Sequence, residues 1–265
     1  MKKLSVFLVL SLFLILTACG KQESNQSEAK ANESKFNLVK EGSLTFAMTG
    51  QYPPLNFKKD GKLTGFDVEI GTEIAKRLGL EANPVTNPWE TIIQGLKANK
   101  YDAIIGSMTA TPDRDKQIDF TEPYYLSGAQ IFVAENNTEI QSKEDLQGKT
   151  IGVIQASTWK DIAETLTDAD KVKGYPVDVN ALQDLELGRV DAVITDKIVG
   201  VSARNEKGLK IKGIGNLLNE DKVSIGIVEG NKELANKINE ALQSMIDDGT
   251  YEEISMKWFN TNIMK

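Results

Sequence analysis

A chain of 265 residues can form one large domain or two small ones, and either would bury a substantial core. Its 40% hydrophobic and 26% charged content is that of an ordinary soluble globular protein, and its formal charge of −7 argues against nucleic acid as a partner. There is no histidine, which removes the usual general base, the usual triad base and the commonest zinc ligand and leaves carboxylate or lysine chemistry; no metal and no cofactor are expected.

Lys2 and Lys3 give the chain a positive start, Leu4 to Leu16 an apolar run of thirteen residues, and Leu16-Thr17-Ala18-Cys19 a small-residue cleavage site. Thirteen residues are too few for a membrane span, which takes about 20. Loss of this leader would remove two lysines and no acid, leaving a charge of −9. Leu-Thr-Ala-Cys resembles the lipobox of bacterial lipoproteins. That resemblance implies a signal peptide over 1–18, a lipidated Cys19 and a tether to the extracellular face of the cell membrane; the alternative is a generic signal peptide with an incidental cysteine. Gly20 to Lys35 lacks large apolar residues and cannot bury enough surface to fold, so 19–35 reads as the lipidated cysteine and a flexible linker.

Globular sequence starts near Phe36. Leu44 to Met48 reads as a strand whose end carries Thr49-Gly50-Gln51-Tyr52-Pro53-Pro54, and the proline pair holds Tyr52 in an extended loop. Phe66, Ile70, Ile74 and Leu78 recur every four residues along a helix ending at Gly79. A short strand around Val85 and a helix over Trp89 to Ala98 lead to the apolar run Ala103-Ile104-Ile105. The small polar residues from Gly106 to Arg114 then read as a loop at the carboxyl end of a strand, where open α/β sheets bind ligands. Arginine presents a planar fork that matches a carboxylate, so this loop looks like a carboxylate receptor.

From Gly128 to Ala134 an extended run without a preceding helix reads as a strand crossing into a second lobe. There, Thr150 to Ile154 forms a strand, Ala156-Ser157-Thr158 its loop, and a helix begins near Trp159, so the Ser157 and Thr158 amides would face an anion at a helix start. Alternatively, one of the two merely caps the helix. A helix over Ala181 to Leu187 and a strand Ala192-Val193-Ile194 follow, ending in Thr195 and Asp196. Leu185 to Asp196 overlays Leu96 to Ser107 at a constant offset of 89 residues, with Leu96/Leu185, Asp102/Asp191, Ala103/Ala192 and Ile105/Ile194 identical. If this repeat is not the chance likeness of two ordinary units, it presents Ser107 and Asp196 to a shared cleft. A second extended run, Val223 to Val228, returns the chain before two last helices. The expected lobes are therefore 36–127 plus 223–265, and 128–222, joined by two crossings that suit a hinge.

Arg114 with amides near Thr109 and Thr158 suits a ligand carboxylate, and Asp196 with the Ser107 hydroxyl and Gly106 carbonyl suits an ammonium. An α-amino acid carries both groups. Gly65 to Glu69, Asp102 to Ile105, Thr109 to Arg114, Asp119 to Tyr124 and Asp248 to Tyr251 stand in the order found in the polar amino-acid-binding family of bacterial extracellular solute-binding proteins, which the chain resembles from about Leu44 to Phe259. This resemblance implies a two-lobed α/β fold of the type II periplasmic-binding-protein kind, with two hinge-crossing strands and a cleft between the lobes. It also implies a receptor, not an enzyme, that binds a free amino acid, acts as a monomer and serves an ABC transporter permease and its ATPase. Arg114, Thr109 and Thr158 would hold the carboxylate, Asp196, Ser107 and Gly106 the ammonium, and Tyr52 and Trp89 would flank the ligand side chain.

The bland alternatives are core packing for Tyr52 and Trp89, a surface ion pair with Asp113 or Asp119 for Arg114, and a helix-start role for Asp67. Ala156 stands where the family often has glycine. Thr49 stands where several relatives that bind lysine, arginine, histidine or glutamine carry aspartate, which argues against a basic or glutamine ligand unless Asp67, Glu69 or Glu90 supplies the charge; Thr49 and Asp67 are the candidates for side-chain specificity. A sensor for a signalling partner or a dehydratase-like enzyme could use the same fold, the enzyme requiring a carboxylic acid of raised pKa in the cleft.

Overall fold

The computed structural model describes residues 37–264; the expected signal peptide of 1–18, Cys19 and the expected linker to residue 35 lie outside them. Strand β1 (Ser43–Met48) leads into a small antiparallel sheet of β2 (Gln51–Tyr52), β3 (Asn56–Lys59) and β4 (Lys62–Thr64). Helix α1 (Phe66–Arg77) follows, burying Phe66, Ile70 and Ile74, and acids in its first turn and bases in its last complement its dipole. Next come β5 (Glu81–Thr86), a 3-10 turn at Trp89–Thr91, α2 (Ile92–Lys97), β6 (Ala103–Thr109), α3 (Pro112–Asp115) and β7 (Asp119–Ser127).

The chain then leaves this sheet. It runs through β8 (Ala129–Ala134), β9 (Ile151–Ile154), α4 (Thr158–Glu164), β10 (Val172–Tyr175), α5 (Asp178–Glu186), β11 (Ala192–Asp196), α6 (Lys197–Lys207) and β12 (Ile211–Ile214). It returns in β13 (Asp221–Ile227) and finishes with α7 (Lys232–Asp247) and α8 (Thr250–Phe259).

Two five-stranded sheets result, ordered β5-β1-β6-β13-β7 and β10-β9-β11-β8-β12. In each, three parallel strands are followed by two that run antiparallel to their neighbours. The crossings lie side by side: Asn219 Oδ1 accepts from the Ala129 amide at 2.8 Å, and the Leu218 amide donates to the Ala129 carbonyl at 2.8 Å. Gly128 is required there, because a Cβ would stand 2.3 Å from the Asn219 carbonyl oxygen. The return strand begins at Asp221, two residues before the expected crossing.

Each sheet has its own core. Around the first, Leu234, Ile238, Ala241, Leu242 and Met245 of α7 form one buried stripe, and Phe66, Tyr124, Tyr125, Tyr251 and Phe259 interlock as an aromatic cluster. The Tyr251 hydroxyl donates to the Tyr124 carbonyl at 2.6 Å, fastening α8 to β7.

One expectation is corrected. The segment from Gly106 to Thr109 is strand, not loop, because Met108 and Thr109 continue β6 by pairing with Ser224 and Val223. Asp119 to Tyr124 belongs to β7, where Pro123 is tolerated because β7 is the edge of its sheet.

Candidate functional site

A narrow cavity lies among the carboxyl ends of the parallel strands, with walls drawn from both sheets. One side consists of Thr49, Gln51 and Tyr52 after β1, Trp89 after β5, Gly106, Ser107 and Thr109 of β6, and Arg114 of α3. The other consists of Ile154 at the end of β9, Ser157, Thr158 and Trp159 at the start of α4, and Pro176, Val177 and Asp178 where β10 gives way to α5. The two sides touch. Trp89 Nε1 donates to the Ala156 carbonyl at 3.3 Å, and the Tyr52 and Trp159 rings stack with centroids 6.5 Å apart.

Arg114 is placed by a short helix that begins at Pro112 and is capped by Thr111, whose hydroxyl accepts from the Arg114 amide at 3.3 Å. Its Nη1 donates to the Thr109 carbonyl at 2.9 Å, Nη2 reaches the Ala156 carbonyl at 3.5 Å, and the guanidinium carbon sits 5.3 Å from the centre of the Trp89 ring. No carboxylate forms an ion pair with it among the described residues; the surface pair with Asp113 does not form, since Asp113 pairs with Lys116. Burial pulls the guanidinium pKa down, against the more distant charges of Asp221 and Asp161. The arrangement leaves a guanidinium fork on the cavity wall whose natural complement is a carboxylate.

Ser107 takes a left-handed conformation, φ 61°, within β6. A buried network pins it there. Its amide donates to the Tyr124 hydroxyl at 3.0 Å, and its own hydroxyl donates to Asp67 at 2.8 Å. Asp67 also accepts from Tyr124 (2.7 Å) and Asn56 (2.6 Å), and Asn56 Oδ1 accepts from Thr49 Oγ1 and the Gly50 amide. Burial raises the Asp67 pKa despite these donors. Asp67 therefore stands behind the wall and does not line the cavity, which corrects its reading as a possible specificity contact. It starts α1 and orients Ser107, Asn56 and, through Asn56, Thr49.

On the opposite side Ala156 has φ 56°, the left-handed region that glycine occupies without strain. Ser157 precedes α4 without capping it: its hydroxyl turns back to the Ile154 carbonyl at 2.7 Å. The first amides of α4, at Thr158 and Trp159, have no intrahelical acceptor and are available to an anion.

Asp196 is where the sequence expectation and the structure part. It is 3% exposed and absent from the cavity wall; its Oδ1 accepts from the Ser127 hydroxyl at 2.8 Å and from the Ile198 amide at 2.7 Å, the second contact capping α6. Asp178 is the carboxylate that lines the cavity instead, at 5% exposed, with its Oδ1 accepting from the Thr195 hydroxyl. Burial raises Asp178 to about 7 and, with the charges of Asp221 and Asp178 adding to it, Asp196 to about 7. Tyr52, facing this acidic side, is pushed well above its ordinary value by burial first and then by Asp196 and Asp178.

Trp159 and Asp178 are thus cavity residues that local sequence patterns do not single out. The 89-residue repeat contains the missing signal for one of them: carried seven residues upstream of Leu96/Leu185, it pairs Trp89 with Asp178. Among the described residues no group of three or more metal-ligating side chains comes together.

Two lobes closing on a cavity with one cation and one acid define a receptor for a small charged molecule. Residues 44–261 match the model of the bacterial extracellular solute-binding proteins, family 3, and the chain belongs to that family. It is similar to the L-cystine-binding protein TcyA of Bacillus subtilis, with 34% identity over the full length of both chains. To the L-cystine-binding protein TcyJ of Escherichia coli it is 32% identical over 89% of this chain and 90% of that one. Among solved structures, an ancestral arginine-binding protein bound to glutamine superposes with a TM-score of 0.79 at 38% identity, covering 83% of this chain and 99% of that chain.

Proposed function

We propose that the protein is an amino-acid receptor: it captures a free polar amino acid in the cleft and delivers it to an ABC importer. The observation that carries this reading is the Arg114 guanidinium, turned to the cavity and held by two carbonyls, with no carboxylate paired to it among the described residues. A ligand carboxylate fits there in two parallel hydrogen bonds, supported by the amides of Thr158 and Trp159. Gly106 and Ser107 supply acceptors for the ligand's ammonium, and Tyr52, Trp89 and Trp159 are apolar walls for its side chain. Thr49, beside Gln51, is the polar group placed to read the side-chain tip. Relatives named for cystine and a neighbour bound to glutamine support polar amino acids, cystine included, as the ligand class.

The ligand touches both lobes, so it binds the closed form more tightly than the open one, and that difference shifts the hinge equilibrium. The closed receptor, a monomer, is then recognised by the permease and its ATPase. Lipidation of Cys19 after removal of residues 1–18 holds it at the extracellular face of the membrane, with 19–35 as the leash. A thermal-shift screen of the mature protein against free amino acids tests the reading: the expected result is a ligand that raises the melting temperature, and a flat response across the panel contradicts it.

One observation favours a second reading. Asp178 is a buried acid raised to about 7 in the cleft, as a dehydratase-like enzyme would need for its general acid. Mass spectrometry of the ligand after incubation with the protein separates the two; unchanged ligand is the expected outcome.

A further inference from the structure

We infer that Asp67, from behind the cavity wall, fixes the Thr49 hydroxyl as a hydrogen-bond acceptor toward the ligand, so that the site selects an amino acid whose side chain ends in an N–H or O–H donor. This rests on the amino-acid-receptor reading and deepens it: Thr49, placed to read the side-chain tip, reads it with one sign, and acidic side chains are refused.

The sign follows from groups that bond in only one way. Asp67 lies in the first turn of α1 at 0% exposed, and a carboxylate only accepts. The Gly50 amide only donates. Asn56, buried at the start of β3, stands between the two: Asp67 Oδ2 claims its Nδ2 at 2.6 Å, and the Gly50 amide claims its Oδ1 at 2.9 Å, so the side-chain amide has one orientation. Thr49 Oγ1 lies 3.1 Å from that Oδ1, and an amide oxygen has no proton to give. The Thr49 hydroxyl therefore spends its proton on Asn56. One of its lone pairs accepts from the Gln51 amide at 3.3 Å, which leaves the other for the cavity that Thr49 lines.

The same carboxylate sets Ser107. Asp67 Oδ2 accepts from the Ser107 hydroxyl at 2.8 Å, while the Tyr124 hydroxyl donates to Oδ1 at 2.7 Å and receives the Ser107 amide at 3.0 Å. Burial raises the Asp67 pKa, and the donors from Tyr124, Ser107 and Asn56 oppose that rise by favouring the ionised form. Thr49 and Ser107 thus both offer lone pairs to the cavity. Gln51, exposed at the rim, can turn either edge of its amide inward and adds no sign of its own. Arg114 is the cationic donor of the wall, and the ligand's α-carboxylate takes it in the proposed complex. A side-chain carboxylate would then meet the Thr49 lone pair in a site largely removed from water, whereas an amide, hydroxyl or ammonium meets it with a hydrogen bond.

Calorimetry with pairs of near-identical shape tests the inference: L-glutamine against L-glutamate, L-asparagine against L-aspartate, and, at the length of cystine, the mixed disulfides of L-cysteine with cysteamine and with 3-mercaptopropionate. The wild type is expected to bind the donor-ended member of at least one pair and to bind its acid partner about 100-fold or more weakly. Thr49→Val keeps the shape and removes the lone pair, and Asn56→Ser breaks the link from Thr49 to Asp67; each should cut that ratio by about 10-fold or more. A merely structural role would weaken both members of a pair alike and leave the ratio unchanged. In Thr49→Val the Asn56 Oδ1 keeps the Gly50 amide, so this variant should melt near the wild-type temperature and decides the matter even where Asn56→Ser fails to fold. An acid bound by the wild type as tightly as its donor-ended partner overturns the inference while the receptor reading stands. So does L-methionine or L-leucine bound more tightly than every donor-ended probe, or an unchanged ratio in Thr49→Val or in folded Asn56→Ser. Binding of no amino acid to the wild type overturns both.

Discussion

Ala156 holds a backbone conformation that costs a residue with a Cβ about 1 kcal/mol or more. Its position explains why that cost is carried: its carbonyl receives Trp89 and Arg114 from the facing lobe. Ala156→Gly should therefore stabilise the ligand-free protein by up to about 1 kcal/mol, raising its melting temperature by about 2–4 °C in a calorimetric scan. The buried acids give a second prediction. Burial raises Asp178 and Asp196 from the usual 3.8 to about 7, so between these values the folded state binds more protons than the unfolded one. Stability is then lost as pH rises from about 4 to about 7. Facing groups reinforce the sign, since Asp221 adds negative charge beside Asp196 and the Tyr52 hydroxyl stays neutral. The ligand-free wild type should melt at a lower temperature at pH 8 than at pH 5.5, and Asp178→Asn with Asp196→Asn should flatten that slope. Arg114 was legible because a fork of donors after a strand has few other uses. Asp196 lies off the cavity wall because an aspartate at the end of a strand is equally the cap of the helix that follows, and here it accepts from the Ile198 amide. Asp178 escaped notice for the converse reason: at a helix start it looks like a cap, whereas α5 receives no side-chain cap.

At the scale of elements, the repeat is structural as well as sequential. Asp102 accepts from the Thr45 amide at 2.7 Å and Asp191 from the Thr150 amide at 2.7 Å, each tying the start of its core strand to the strand beside it. The helices before them end alike, with Asn99 at φ 52° and Gly188 at φ 70° and the same pattern of amides returning to carbonyls. Asp102 is buried and also accepts from the Val39 amide at 2.6 Å, whereas Asp191 is exposed. Asp102→Asn should thus cost about 1–3 kcal/mol in urea unfolding, and Asp191→Asn about 1 kcal/mol or less; equal costs would contradict this ranking. Periodicity revealed α1 because it buries one stripe. It did not reveal that β6 extends to Thr109, since Gly106 to Thr109 carries the small polar residues of a loop and is made strand only by pairing with the distant β13.

The whole molecule is one strand order used twice, joined where Gly128 packs against Asn219, with the carboxyl ends of both sheets turned to one cavity. The two crossings were legible as long extended runs without helices. The sequence pattern did not reveal which side chains meet across the gap, because Tyr52 and Trp159, or Arg114 and the Ala156 carbonyl, come together only when both lobes are built. That meeting is what makes the cavity selective for a molecule with two opposite charges. Calorimetric titration of the mature protein with polar amino acids, repeated on Arg114→Ala, tests this most directly. The expected result is a saturable heat for at least one amino acid in the wild type and an affinity weaker by about 100-fold in Arg114→Ala; unchanged binding in that variant would contradict the account.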